Sequence, residues 1–180
     1  MLPANAGESV DDRLKQSFDA VIEIVDNRLH FCHDSGRHPT LRSVRAMAKP
    51  ILVVLLKDPF PEAFHYVETL LQPLGFLLAN PDSGLITHWT DDGRQLAVSR
   101  AEIVDEGSTG GVKNVQFWQS NSYDLFVSWI DAVPGWEFSF HLNGVTPELK
   151  IALAAALSSA ILVDLKLQYI GESALRIDFD

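Results

Sequence analysis

The sequence predicts an α+β fold: N-terminal helices followed by an antiparallel β-meander, one further helix and a C-terminal β-hairpin. Three observations carry that expectation. Apolar residues recur every three or four positions as far as Leu71, they recur every second position from Phe76 to Leu142, and helices precede strands instead of alternating with them. At 180 residues, 47% of them hydrophobic, the chain can fill one core. A single domain over 9–180 is therefore expected, behind a small-residue leader, 1–8, read as disordered.

Ser9 is placed to cap a first helix whose opening turn carries Asp11 and Asp12, acids that complement the positive end of the helix dipole. Val10, Leu14, Phe18, Val21, Ile22, Val25, Leu29 and Cys32 form its apolar stripe, to about His33. Gly36 and Pro39 mark a connection, and Thr40 caps the next helix. Between Leu41 and Lys57 two readings stay open. Helical spacing continues through Met47, Ile51, Leu52 and Leu55, yet Pro50 falls inside it and an interior proline costs about 3 kcal/mol. Either the helix kinks there, or it stops and Ile51 to Leu56 is a buried strand. Glu62 to Leu71 then gives a helix with Phe64, Val67, Leu70 and Leu71 on one side, ended by Pro73 and Gly75.

The meander follows from the period of two and from turn signals at 80–84, 91–93, 107–111, 120–122 and 133–135. In Trp136 to Leu142 the residues Trp136, Phe138, Phe140 and Leu142 point to a core, while Glu137, Ser139 and His141 point to water. Tyr123 to Ile130 is apolar on both faces, as in a central strand or one with an apolar patch left for a partner. Thr146-Pro147-Glu148 opens a further helix with a capping hydroxyl, a proline in the first turn and an acid at the positive end. Ile161 to Tyr169 and Leu175 to Phe179 alternate around a turn at 171–173 and read as the closing hairpin.

Charge is laid out unevenly. Residues 1–57 carry eight Lys/Arg against seven Asp/Glu, whereas residues 58–180 carry six against seventeen, a net −11. Such a field repels nucleic acid and anionic membrane and attracts a basic partner. One cysteine, Cys32, leaves no internal disulfide to form, the apolar runs are too short or too broken to cross a bilayer, and the start has no signal-peptide pattern; a cytoplasmic protein is expected.

Chemistry-bearing clusters are each outweighed by a plainer role. His30, Cys32, His33 and His38 have metal-capable side chains, but Cys32 completes an apolar stripe and His33 and His38 sit at a helix end. The 107–111 glycine loop is followed by a strand pattern where a phosphate loop needs a helix, and Ser173 lacks the setting of a nucleophile elbow. His88 with Asp91 and Asp92, or Glu137 with His141, could do acid/base work, yet the first is an ordinary turn and the second an ordinary solvated face. No catalytic constellation, cofactor motif or metal spacing is recognised, so a binding protein is expected rather than an enzyme. Its expected contact residues are Asp91, Asp92, Glu102, Asp105, Glu106, Asp124 and Glu137, with Trp118 as an aromatic anchor among them.

In size, acidity and organisation, over the whole chain, the sequence resembles the immunity proteins of bacterial contact-dependent inhibition and polymorphic toxin systems. That resemblance implies a cytoplasmic protein that neutralises a cognate toxin, commonly a basic nuclease, by covering its active site or an essential surface. Two other classes remain: an acidic secretion chaperone that holds an effector segment in an apolar groove or at a sheet edge, and a small-ligand binder or enzyme with a pocket near His88 or His141.

Overall fold

The run around Pro50 is a strand. β1 (Pro50–Leu56) begins at the proline, opposite Leu142, whose carbonyl accepts from Val145 N in place of the N–H that Pro50 lacks, and continues through β-branched Ile51, Val53 and Val54. Leu52 to Leu56 are all buried, as befits a strand covered on both faces. The structure is a computed structural model that describes residues 49–165, 168–169 and 173–179. The predicted leader, the predicted first helix, the predicted Thr40 cap and the His30, Cys32, His33 and His38 cluster lie outside the described residues. Those that are described belong to one compact unit spanning 46–180.

Helix α1 (Phe60–Leu71) enters through Pro59 and Pro61, and buries Phe60, Ala63, Phe64, Val67 and Leu71, one stripe at helical spacing. It ends in a 3₁₀ turn, Gln72–Leu74, closed by Gly75 at φ +83°, a conformation that favours glycine. The strand order of the main sheet is β4–β5–β6–β1–β7, antiparallel throughout, with β4 (Asn114–Ser120), β5 (Tyr123–Ala132), β6 (Gly135–His141) and β7 (Leu175–Phe179). One face carries Val115, Phe117, Leu125, Val127, Trp129, Phe138, Phe140, Leu52 and Val54, all buried. Against it α1 sets Phe60, 5.2 Å from the Trp129 ring centre and 6.2 Å from that of Phe138, and Phe64, 5.7 Å from that of Trp129. The aromatic spacing suits offset and edge-on packing.

The α+β class stands, with three departures in detail. Inside the predicted meander lies a helix, α2 (Arg100–Gly107), opened by a capping box: the Ser99 hydroxyl accepts from Glu102 N and the Glu102 carboxylate accepts from Ser99 N. The strands before it, β2 (Ile86–Trp89) and β3 (Gln95–Val98), form a separate two-stranded ribbon. The third departure is at the closing hairpin. Helix α3 (Pro147–Ser159), capped by Thr146, does not give way to a strand but widens into a π-turn, Ala160–Asp164, so Ile161 to Asp164 are helical. Ile161, Leu162 and Val163 are consecutive apolar residues whose pattern fits either period, and the alanine-rich helix before them wins. Leu175–Phe179 is a strand, as expected, and its partner is β1.

Candidate protein-binding surface

The second face of the sheet is mixed and polar, and one strand shapes it. On β4 the side chains of Asn114 and Gln116 reach the ribbon. The Asn114 amide imitates a strand partner, accepting from Trp89 N at 2.7 Å and donating to Trp89 O at 2.8 Å. Gln116 is 7% exposed and accepts through Oε1 from the Thr87 hydroxyl and the Gln95 amide, while its Nε2 donates to Asp124 Oδ2 at 2.8 Å. A buried amide with both ends satisfied fixes the ribbon to the sheet.

The ribbon's turn holds Asp91 and Asp92. Gly93, at φ +78°, lets the chain reverse, and Thr90 N and Arg94 O close the loop at 2.9 Å. Asp92 accepts from the Thr90 hydroxyl and from Arg94 Nε at 2.7 Å, and these bonds, the Thr90 one foremost, hold its carboxyl below the usual range. Asp91 lies 3.0 Å from Lys113 Nζ. Glu102 is held low by the Ser99 backbone and hydroxyl, with a smaller contribution from nearby His88.

Asp105 and Glu106 stand exposed in the last turn of α2, and no ion pair among the described residues involves them. Asp124 is half-buried under Gln116. Glu137 is elsewhere: it lies opposite Ile130 on β5, six residues and so about 20 Å from Asp124, and binds Arg176 with two bonds of 2.7 and 2.8 Å. The Arg176 hydrogen bonds hold the Glu137 carboxyl below its usual range. The eight expected contact residues thus do not form one ring. Asp91 and Asp92 gather at the ribbon tip, Asp124 is drawn in under Gln116, Trp118 is half-buried where β4 meets Leu77, Glu102, Asp105 and Glu106 lie on α2, and Glu137 belongs to the β7 side.

Trp118 is half-buried; its indole N–H is enclosed and unpaired, and its backbone exchanges bonds with Leu77. The tryptophan that stands out is Trp89, 39% exposed beside the acidic turn, with Leu96 exposed on the other face of the ribbon. Trp89 carried a readable signal, since it abuts the turn sequence, whereas nothing local marks Trp118 as bridged by the backbone of Leu77.

Two arrangements bear on catalysis. Ser128 Oγ and His141 Nε2 are 3.0 Å apart, with Phe126 edge-on to the imidazole at 5.0 Å. Glu137, which shares that strand face, is turned to Arg176, so the Glu137 and His141 pairing does not form. On the α1 side of the sheet a cleft of about 500 Å³ opens over Phe76 and Phe117 and is rimmed by His65, Glu68 and Arg100. Its polar groups are turned on one another: Arg100 Nη2 and Nε donate to Glu68 at 2.6 and 3.1 Å, and His65 Nδ1 lies 3.6 Å from the same carboxylate. That pair clasps α1 to α2 and engages the Glu68 carboxylate of the cleft. Among the described residues no three His, Cys, Asp or Glu side chains converge as a metal site, and no helix is long and apolar enough to cross a membrane.

Compared with known proteins, the chain matches no family model, no curated protein and no solved structure.

Proposed function

We propose that this chain is a binding protein that captures a basic protein domain through its acidic side, and that the partner is a toxin domain neutralised by occlusion. The observation that carries the reading is the ribbon. It is an exposed element, locked to the sheet by Asn114 and Gln116, that carries Trp89 beside Asp91 and Asp92, with Leu96 exposed on its other face. A rigid aromatic beside charge is the composition of an interface anchor, because fixed side chains lose little entropy on binding. The unpaired carboxylates of Asp105 and Glu106 supply the field that would speed encounter with a cationic partner. Carboxylates would there stand in for the phosphates of a nuclease substrate.

The test is capture from the native source at low and high salt, with the wild type, with Trp89→Ala, and with Asp91, Asp92, Asp105 and Glu106 changed to Asn or Gln. One basic partner is expected, lost in the charge variant and in high salt, weakened by Trp89→Ala, and silenced in its own activity assay by a stoichiometric amount of the wild type. A partner retained by the charge variant at high salt, or one whose activity the wild type leaves untouched, rules the reading out.

A further inference from the structure

β7 is the outer strand of the main sheet, and no strand among the described residues pairs with its far edge. Which of its groups face outward follows from β1. Leu142 N donates to Pro50 O, so Pro50, Leu52 and Val54 turn their backbone polar groups to β6. Leu55 N donates to Ala174 O, so Ile51, Val53 and Leu55 turn theirs to β7. Their partners Asp178 and Arg176 are therefore satisfied by β1, and Leu175, Ile177 and Phe179 point N–H and C=O away from the sheet. Ile177 is also 58% and Phe179 67% exposed, on the face that carries Leu52. Arg176 and Asp178 lie exposed on the opposite face.

We propose that this edge is where two copies of the chain meet, β7 against β7, antiparallel about a two-fold axis at Ile177. Ile177 then faces its own counterpart and Leu175 faces Phe179, in both directions. All are outward-pointing, so each facing pair can exchange two backbone hydrogen bonds. Between them Arg176 falls opposite Asp178 of the second copy, and Asp178 opposite Arg176. Those are the close, non-hydrogen-bonded pairs in which side chains interact most strongly.

Charge also selects the register. Moving the axis to Arg176 or to Asp178 keeps the backbone matched but sets like charges face to face. The surface is self-complementary in the sense a two-fold interface requires, polar on one face and apolar on the other. Glu137 and the strand's own Asp178, which accepts from Arg176 Nε at 3.0 Å, hold the Arg176 guanidinium along the sheet face, where the Asp178 carboxylate of the second copy would join them. Of the usual edge defences Leu175–Phe179 has no proline and no lysine, and its pairing with β1 runs without a register shift; the charges it does carry, Arg176 and Asp178, are opposite in sign and match a second copy in this register. The inference does not rest on the proposed toxin partner.

The test is sedimentation of the full chain as wild type, as Asp178→Arg, as Arg176→Asp and as an equal mixture of the two variants. The wild type is expected to dimerise with concentration. Each reversal alone puts like charges opposite and weakens the dimer about tenfold or more. The mixture restores it, because every facing pair in the mixed dimer is again opposite in charge. Misfolding cannot be rescued by mixing, and far-ultraviolet circular dichroism of each variant checks the fold directly. A wild type that stays monomeric at every soluble concentration, a dimer that survives either reversal, or folded variants whose mixture stays monomeric would each overturn the proposal.

Discussion

The two edges of the main sheet are finished in opposite ways. At β4 the edge is occupied by the chain itself: Leu77 exchanges backbone bonds of 2.8 and 2.7 Å with Trp118, and Asn114 and Gln116 fasten the β2–β3 ribbon with side-chain amides. At β7 the described residues leave the edge open, with apolar Ile177 and Phe179 on one face and a balanced Arg176 and Asp178 on the other. The difference shows how an edge is specified by the residues at alternate positions. Amides can satisfy a neighbouring backbone and close an edge within one molecule, whereas alternating charge and apolar residues can match only another strand.

The largest effect comes from removing what both edges share. Phe138 is fully buried between α1 and the sheet, so Phe138→Ala should cost roughly 3–5 kcal/mol, as large-to-small changes in a packed core do. Hydrogen exchange should then quicken in β4 and β7 alike. Gly107 makes a related point, because an added Cβ would collide with the Phe60 ring; Gly107→Ala should cost about 1–3 kcal/mol by overpacking. Protection lost at one edge only would mean that the two halves of the sheet do not unfold as one.

Next comes Gln116→Leu, which acts at one edge. It leaves Asp124 without its amide donor, the Thr87 hydroxyl without its acceptor and the Gln95 amide with the Thr87 hydroxyl alone, a cost of about 1–3 kcal/mol. Exchange should rise in Ile86–Trp89 and Gln95–Val98 while β7 stays protected. Equal loss at β7 would show that the ribbon is integral to the core rather than fastened onto it.

A smaller, pH-dependent effect belongs to β7. Arg176 keeps the Glu137 carboxyl below its usual range, so the pair stabilises the fold above that range and loses its contribution as pH falls through the lowered value. Arg176→Gln should therefore reduce stability at neutral pH and leave it nearly unchanged in acid. Since the Arg176 side chain is 41% exposed, solvent screening holds the neutral-pH loss to about 1 kcal/mol or less. Melting temperatures of both proteins, measured at neutral and acid pH, should converge on acidification.

Sequence carried the parts of this fold that repeat locally. The stripe of α1, the alternation of β6 and the Thr146-Pro147 start of α3 were legible because each signal spans a few residues. β1 was legible only as one of two readings, since its two-sided burial removes the alternation that identifies a strand. Helix α2 carried a visible Ser99-x-x-Glu102 box, but its low hydrophobicity and flanking turns hid it inside the meander. The π-turn after α3 was illegible because consecutive apolar residues fit both periods. Contacts set by tertiary structure left no local mark: Glu68 and Arg100 are 32 residues apart, and Gln116 with Thr87 29 apart. The abundance of acids is plain in the sequence, yet their division between ribbon tip, α2 and β7 depends on strand order, which no window of sequence contains.

The smallest expected change in stability is at Asp105 and Glu106, and it is the one that separates an acidic surface that binds from one that only solubilises. Both acids sit in the last turn of α2, near the negative end of its dipole, and neither has a cation partner among the described residues. Neutralising them as Asp105→Asn with Glu106→Gln relieves a mild repulsion, so stability should rise, by no more than about 0.5 kcal/mol. A residue pair that the fold would be slightly better without is retained for solubility or for a partner. Loss of the basic partner from the double variant, at unchanged melting temperature and with the wild-type complex dissolving in salt, assigns it to the partner. Undiminished capture assigns it to solubility, and leaves the ribbon, with its exposed Trp89, as the element that must carry binding alone.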